Sequence, residues 1–260
     1  MSQVATNLGG EAFRRSVCQH AFAIASTLLQ SVRCLNSNPT ILVIPRGGIC
    51  TGVGVRLALQ GRQHNYLTVR LGIDDDQLYS LLQSDPTGTA SVVLVDGIIG
   101  SGFTINQHLE TIWRLREAWH GPLGIICNIA SQLGIANVLR SPRAAGVPEI
   151  FLATGTVVPH DDCRWIILRN GKLAYYVGVR QSIGDFGDMV MQDLNLEQLY
   201  NWQFTPEPAQ LSLASGPESQ GQASPGSAHP SPWSGYAVYD SGERKLRLNL
   251  IAGFAKGDPM

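Results

Sequence analysis

Val92-Val93-Leu94-Val95-Asp96-Gly97-Ile98-Ile99-Gly100-Ser101-Gly102-Phe103-Thr104 is the stretch that decides the fold. A β-branched run ends in an acid, a loop of small residues follows, and helical periodicity runs over 105–119. A continuous apolar strand feeding directly into a helix is the building unit of a parallel sheet covered on both faces. Consecutive backbone N–H groups in such a loop, together with the hydroxyls of Ser101 and Thr104, can surround a phosphate at the positive end of the helix. Asp96, at the carboxyl end of the strand, can accept hydrogen bonds from sugar hydroxyls. An ordinary strand–turn–helix with glycines for tight packing would read the same way. The lysine of a Walker-type loop is absent, which argues against a nucleoside triphosphatase.

The same alternation extends on both sides. Ile41 to Ile44 is a short apolar run stopped by Pro45-Arg46-Gly47-Gly48, after which Val53 to Leu59 reads as a helix. An arginine between a strand end and two glycines can grip a diphosphate with its planar fork, although Arg-Gly-Gly turns are common. Tyr66 to Arg70 is strand-like, and Asp74-Asp75-Asp76 is expected in a loop over the site. Leu123 to Ile129 and Ile150 to Ala153 are further buried runs. Trp165 to Leu168 and Leu173 to Val177 flank Asn170-Gly171, a hairpin signal. Ser182-Ile183-Gly184-Asp185-Phe186-Gly187-Asp188 can bring backbone and two carboxylates to a ribose or a magnesium–water cluster; it also reads as a helix start capped by Ser182.

Composition narrows the function. The 260 residues carry 19 basic and 20 acidic side chains, a net charge of −1, and 16 of the basic ones are Arg. That balance argues against a general nucleic-acid binder. No run reaches the ~18 apolar residues that span a bilayer. Five scattered cysteines form no Cys-x-x-Cys pair or Cys/His cluster, which fits a reducing, cytoplasmic setting. His160-Asp161-Asp162 reads as a loop before the Trp165 strand rather than as a metal site. Three regions are expected: residues 1–204 as the main domain, a Pro/Ser/Gly-rich linker over 205–235, and 236–260 as a small docked hairpin or a tail.

In order and spacing, the three glycine-bearing segments resemble a type I phosphoribosyltransferase, closest to uracil phosphoribosyltransferase. The likeness runs from about Phe13 to Gln192. Ala130-Ser131-Gln132-Leu133-Gly134-Ile135 is similar to the family's Ala-Ala-Pro-Glu-Gly-Ile, and Ser182 to Asp188 to the Gly-Leu-Gly-Asp-Ala-Gly-Asp of the uracil enzymes. The resemblance implies an α/β fold with a mostly parallel central sheet flanked by helices and a β-hairpin hood. It implies a transferase of nucleotide metabolism (uracil salvage) that moves ribose 5-phosphate from phosphoribosyl pyrophosphate to a ring nitrogen. A homodimer or higher oligomer, with magnesium as the ion and no membrane or nucleic-acid partner, goes with it.

Carried over by position, Arg46, Gly47 and Gly48 would hold pyrophosphate, with Arg70 as a second contact. Asp96 would bind the ribose hydroxyls, and Gly97, Gly100, Ser101, Gly102, Phe103 and Thr104 form the 5-phosphate loop. Asp185, beside Gly184, would hold the ribose or the magnesium ion, directly or through water. The backbone at Tyr176 and Val177 would meet the base. The chain departs from the pattern at Gly97, at Phe103 where glycine is usual, and between Leu168 and Asp185, which is about five residues longer. A larger aromatic base is therefore an alternative to uracil, and a non-catalytic sensor of nucleotide or phosphoribosyl pyrophosphate is an alternative to the enzyme.

Overall fold

The computed structural model describes residues 10–36, 38–68, 75–85, 87–114, 119–142, 144, 147, 149–159, 163–167, 173–177, 190, 193–194, 235–240 and 245–250. Helix α1 (Gly10–Ser31) leads through a short 3-10 turn (Arg33–Asn36) into strand β1 (Thr40–Val43). Then follow α2 (Gly47–Ala58), β2 (Asn65–Thr68), α3 (Asp75–Gln83), β3 (Val92–Ile99) and α4 (Phe103–Arg114). Next come β4 (Leu123–Ser131), α5 (Gln132–Leu139), β5 (Glu149–Val158), β6 (Cys163–Ile167), β7 (Leu173–Val177), β8 (Gly235–Asp240) and β9 (Lys245–Leu250).

The central sheet has the order β2-β1-β3-β4-β5-β8-β9. Its first five strands are parallel, and β8 and β9 add antiparallel at the β5 edge. The chain is thus an α/β protein with a mostly parallel sheet flanked by helices. The C-terminal segment, read as hairpin or tail, forms the hairpin β8–β9, with Ile150 opposite Tyr239 and Leu152 opposite Ala237. β6 and β7 make a separate two-stranded antiparallel sheet. Residues 205–234 of the linker and the 182–188 motif lie outside the described residues, and Gly235, expected in the linker, opens β8.

Burial explains these elements. All four residues of β1 and the first six of β3 are buried, as a sheet covered on both faces requires. Ile41, Val43, Val93, Val95, Ile126 and Phe151 pack with α1 and α2; Leu42, Val92, Leu94, Ile125, Ile150 and Leu152 pack with α3, α4 and α5. Helix α1 contributes Val17, Ala21, Ile24, Leu28 and Leu29, a stripe at three- and four-residue spacing.

Several boundaries differ from the sequence reading: β5 runs five residues past Ala153, Trp119 is not helical although the helical periodicity extends to it, and β6 starts two residues before Trp165. Helix α2 begins at Gly47, six residues before Val53, because its first turn is glycine-rich and carries little hydrophobic signal. Strand β3 runs three residues past Asp96, so the acid lies within the strand. Asp75 and Asp76 open α3 rather than sitting in a loop, consistent with the preference of acids for a positive helix terminus.

One row of the sheet is irregular. Asp96, Cys127 and Thr154 are in register across β3, β4 and β5, as are Ile98, Ile129 and Thr156, but the row between them, Gly97, Asn128 and Gly155, is not bridged. Side-chain alternation inverts there: Val95 and Ile98, three residues apart, meet the same core, and Cys127 and Ala130 share the other. Two glycines in that row suit a local distortion of the strands.

Helices α1 and α2 cross backbone on backbone at Gly54, where a β-carbon would lie 2.3 Å from the Cys18 carbonyl oxygen and 2.7 Å from Ala21 Cβ. Gly54→Ala is expected to destabilise the protein by about 1–3 kcal/mol through overpacking, despite the better helix propensity of alanine. Chemical denaturation measures this; an unchanged midpoint would show that the two helices are not in contact there.

Candidate functional site

Strand order 2-1-3-4-5 places a switch point between β1 and β3. The chain leaves β1 for α2 on one face of the sheet and leaves β3 for α4 on the other. The two helices therefore begin at the carboxyl ends of neighbouring strands with a crevice between them, where open α/β sheets take ligands. Both starting turns carry orphan N–H groups and the positive end of a helix dipole.

On the β1 side, the turn Ile44-Pro45-Arg46 opens α2. Arg46 is exposed and has φ 65° and ψ −98°, a left-handed backbone that a non-glycine residue adopts at a cost of about 1–3 kcal/mol. Gly48 seats this turn against β3. A β-carbon there would be 2.7 Å from the Val95 carbonyl oxygen and 3.2 Å from Asp96 Cα, while the Ile44 amide donates to the same Val95 oxygen at 2.9 Å. The turn at Arg46 and the acid of β3 are thus adjacent by backbone contact. Asp96 is 8% exposed, and its Oδ1 accepts from the Gly97 amide at 2.7 Å. Burial pushes the neighbouring Cys127 thiol up to about 12, with a hydrogen bond to Thr154 opposing and the Asp96 charge adding to the rise. A neutral thiol therefore flanks the carboxylate.

On the β3 side, the loop shrinks to Gly100, Ser101 and Gly102 before α4. Gly102 has φ +80°, and α5 clamps the loop. Ser131 caps α5 by accepting from the Gly134 amide at 2.8 Å, and its hydroxyl donates to the Gly100 carbonyl at 2.5 Å. Asn137 donates to the Ser101 carbonyl at 2.9 Å, and Asn106 to the Asn137 carbonyl at 3.3 Å. A β-carbon on Gly134 would sit 2.3 Å from the Gly100 oxygen. The Ser101 hydroxyl accepts from the Phe103 amide at 3.4 Å. Carbonyls that would repel an anion are held by α5, which leaves the amide side of the loop at the start of α4.

The structure thus gathers Arg46, Gly47, Gly48, Asp96, Gly97, Gly100, Ser101, Gly102, Phe103 and Thr104 at one end of β1 and β3. Phe103 and Thr104 form the exposed first turn of α4, and the Phe103 ring is 65% exposed. Tyr176 and Val177 lie in β7, opposite Arg164 and Cys163. Arg70, Gly184 and Asp185 lie outside the described residues. The clamp of Ser131, Gly134 and Asn137 escaped a functional reading. Ser131, three residues before Gly134, carries a helix-cap signal, whereas Asn137 acts across 36 residues of sequence and leaves no local trace.

No protein-family model matches the chain. No curated protein matches it either. Among solved structures, it is similar to a hypothetical protein from Neisseria gonorrhoeae with bound ppGpp, at 15% identity and TM-score 0.38, over 55% of this chain and 80% of that one. It is also similar to a hypoxanthine-guanine-xanthine phosphoribosyltransferase, at 15% identity and TM-score 0.37, over 57% and 78%. A purine phosphoribosyltransferase from Pyrococcus horikoshii Ot3 follows at 18% identity and TM-score 0.31, over 45% and 74%.

The strain at Arg46 makes a prediction about stability. Arg46→Gly should stabilise the fold by about 1 kcal/mol or more and Arg46→Ala should not. Denaturation midpoints check this. Equal midpoints for the two variants would show that the turn relaxes in solution.

Proposed function

We propose that this site binds phosphoribosyl pyrophosphate and transfers its ribosyl 5-phosphate to a ring nitrogen of uracil or a related heterocyclic base. One observation carries the reading: two helix starts, α2 and α4, flank a single buried carboxylate, Asp96, across the switch point of the sheet. A ligand with phosphate groups at two ends and a hydroxyl-bearing sugar between them matches that arrangement.

In this reading Arg46 and the amides of Gly47 and Gly48 take the pyrophosphate, Ser101 to Thr104 take the 5-phosphate, and Asp96 accepts from the ribose hydroxyls. The bond from the sugar carbon to pyrophosphate breaks as the bond to the base nitrogen forms. The base loses its ring proton and pyrophosphate leaves with the electron pair. The residues act by positioning and by charge stabilisation, and no nucleophilic side chain is needed. Among the described residues no group of three or more His, Cys, Asp or Glu could cage a metal. Magnesium is implied by the sequence resemblance, and it characteristically binds through one or two carboxylates plus substrate phosphates. Asp185, as the sequence resemblance implies, would hold it directly or through water, and when bound it would neutralise charge on the departing pyrophosphate. We further propose a homodimer or larger assembly, as the sequence resemblance implies, and a cytoplasmic setting, as the five scattered cysteines suggest. Among the described residues no helix is long and apolar enough to cross a membrane.

Phe103, exposed beside the loop, supports a second reading, a regulator that binds the same ligand without turnover. The test incubates the full chain with magnesium, phosphoribosyl pyrophosphate and a panel of pyrimidines, purines and aromatic acids, following pyrophosphate. Base-dependent release is expected. Asp96→Ala or Arg46→Ala should lower it by about 100-fold or more, and His229→Ala should leave it unchanged. Tight binding without release would establish the regulator, and neither binding nor release would eliminate both readings.

A further inference from the structure

The irregular row of the sheet lies directly beneath the site and contains one polar side chain. Asn128 is 2% exposed, and its Nδ2 donates to the Val17 carbonyl of α1 and to the Thr51 hydroxyl of α2, both at 3.3 Å. Its Oδ1 is enclosed without a hydrogen-bond partner. As core filling, a half-satisfied amide is inferior to a leucine of similar size. What the amide supplies is direction, since it ties two helices to β4 at one point.

For α2 that tie has a geometric consequence. The helix rests on β3 at Gly48, against Val95 and Asp96. Thr51 is three residues further on, nearly one turn, and so lies on the same face. Further along, α2 is held by α1 at Gly54; the bond at Thr51, one turn from Gly48, fixes the first turn of the helix between the two seats. The amides of Gly47 and Gly48 lie at the start of that turn, so its orientation sets the direction in which they point.

We propose that Asn128 is a positioning residue for the pyrophosphate half of the ligand, holding Thr51 so that the first turn of α2 presents its amides beside Asp96. This rests on reading the turn at Arg46, Gly47 and Gly48 as the pyrophosphate loop. The 5-phosphate loop is held instead by α5 and should be insensitive to the change.

The experiment is calorimetric titration of the full chain, in magnesium buffer, with inorganic pyrophosphate and separately with ribose 5-phosphate. Asn128→Leu and Thr51→Val should each weaken pyrophosphate about tenfold and ribose 5-phosphate by less than about twofold. Their combination should be little worse than either alone, and Thr51→Ser should match the native protein. Equal loss for both ligands, or no loss for either, would overturn the role of Asn128 while native binding keeps the site itself. Native protein that binds no pyrophosphate would overturn the loop assignment and this inference together. Should Asn128→Leu fail to fold, Thr51→Val against Thr51→Ser makes the same comparison.

Discussion

The arrangement of this protein depends on a contact with no room for a side chain: Gly48 of α2 lies on the backbone of β3 at Val95 and Asp96. Because nothing intervenes, the turn that leaves β1 is brought against the carboxylate of the next strand. The distorted backbone of Arg46, the position of α2 and the crevice to α4 follow from that seat. The Gly134–Gly100 contact repeats the device on the other loop, where α5 presses as closely on the start of α4. Each loop is thus held from behind by a helix, which is how a site made of backbone groups becomes rigid.

A chain of net charge −1 can hold a polyanion on such terms. Among the described residues, the field at the site comes from two helix ends and their amides, with Arg46 as an exposed cation, so no basic surface is required. The arginine bias of the chain says little about function for most of its members. At Arg46 the unfavourable backbone angle points to a residue kept for its side chain, since glycine would fit the turn with less strain.

Much of the fold was legible because apolar runs at 41–44, 92–95, 123–129 and 150–153 are long enough to mark buried strands, and the first two are followed by helical spacing. The two loops were legible because glycines cluster at the strand ends, with Arg46 in one and the hydroxyls of Ser101 and Thr104 in the other. The start of α2 was not, since Gly47 and Gly48 carry no periodic signal although they are helical. The extension of β3 past Asp96 was hidden because Gly97 reads as a turn residue, whereas its backbone belongs to a distorted strand. Asn128 and Asn137 were invisible for a different reason. Their partners, Val17, Thr51 and Ser101, lie 111, 77 and 36 residues away, and a lone asparagine in a sequence announces no partner.

Amide chemical shifts of the isotope-labelled full chain, recorded while phosphoribosyl pyrophosphate and magnesium are added, test the central claim most directly. The opposite end of the sheet offers an internal control: a cavity of about 300 Å³ lined by Asn38, Thr40, Asn65, Asp85 and Thr87, whose polar groups largely bond to one another. The account predicts shifts at Gly47, Gly48 and Ile49, and at Gly100 to Thr104, saturating together, with the amides of Asn65 and Thr87 unmoved. Shifts confined to the cavity at the amino ends of the strands, or no shifts at all, would contradict it.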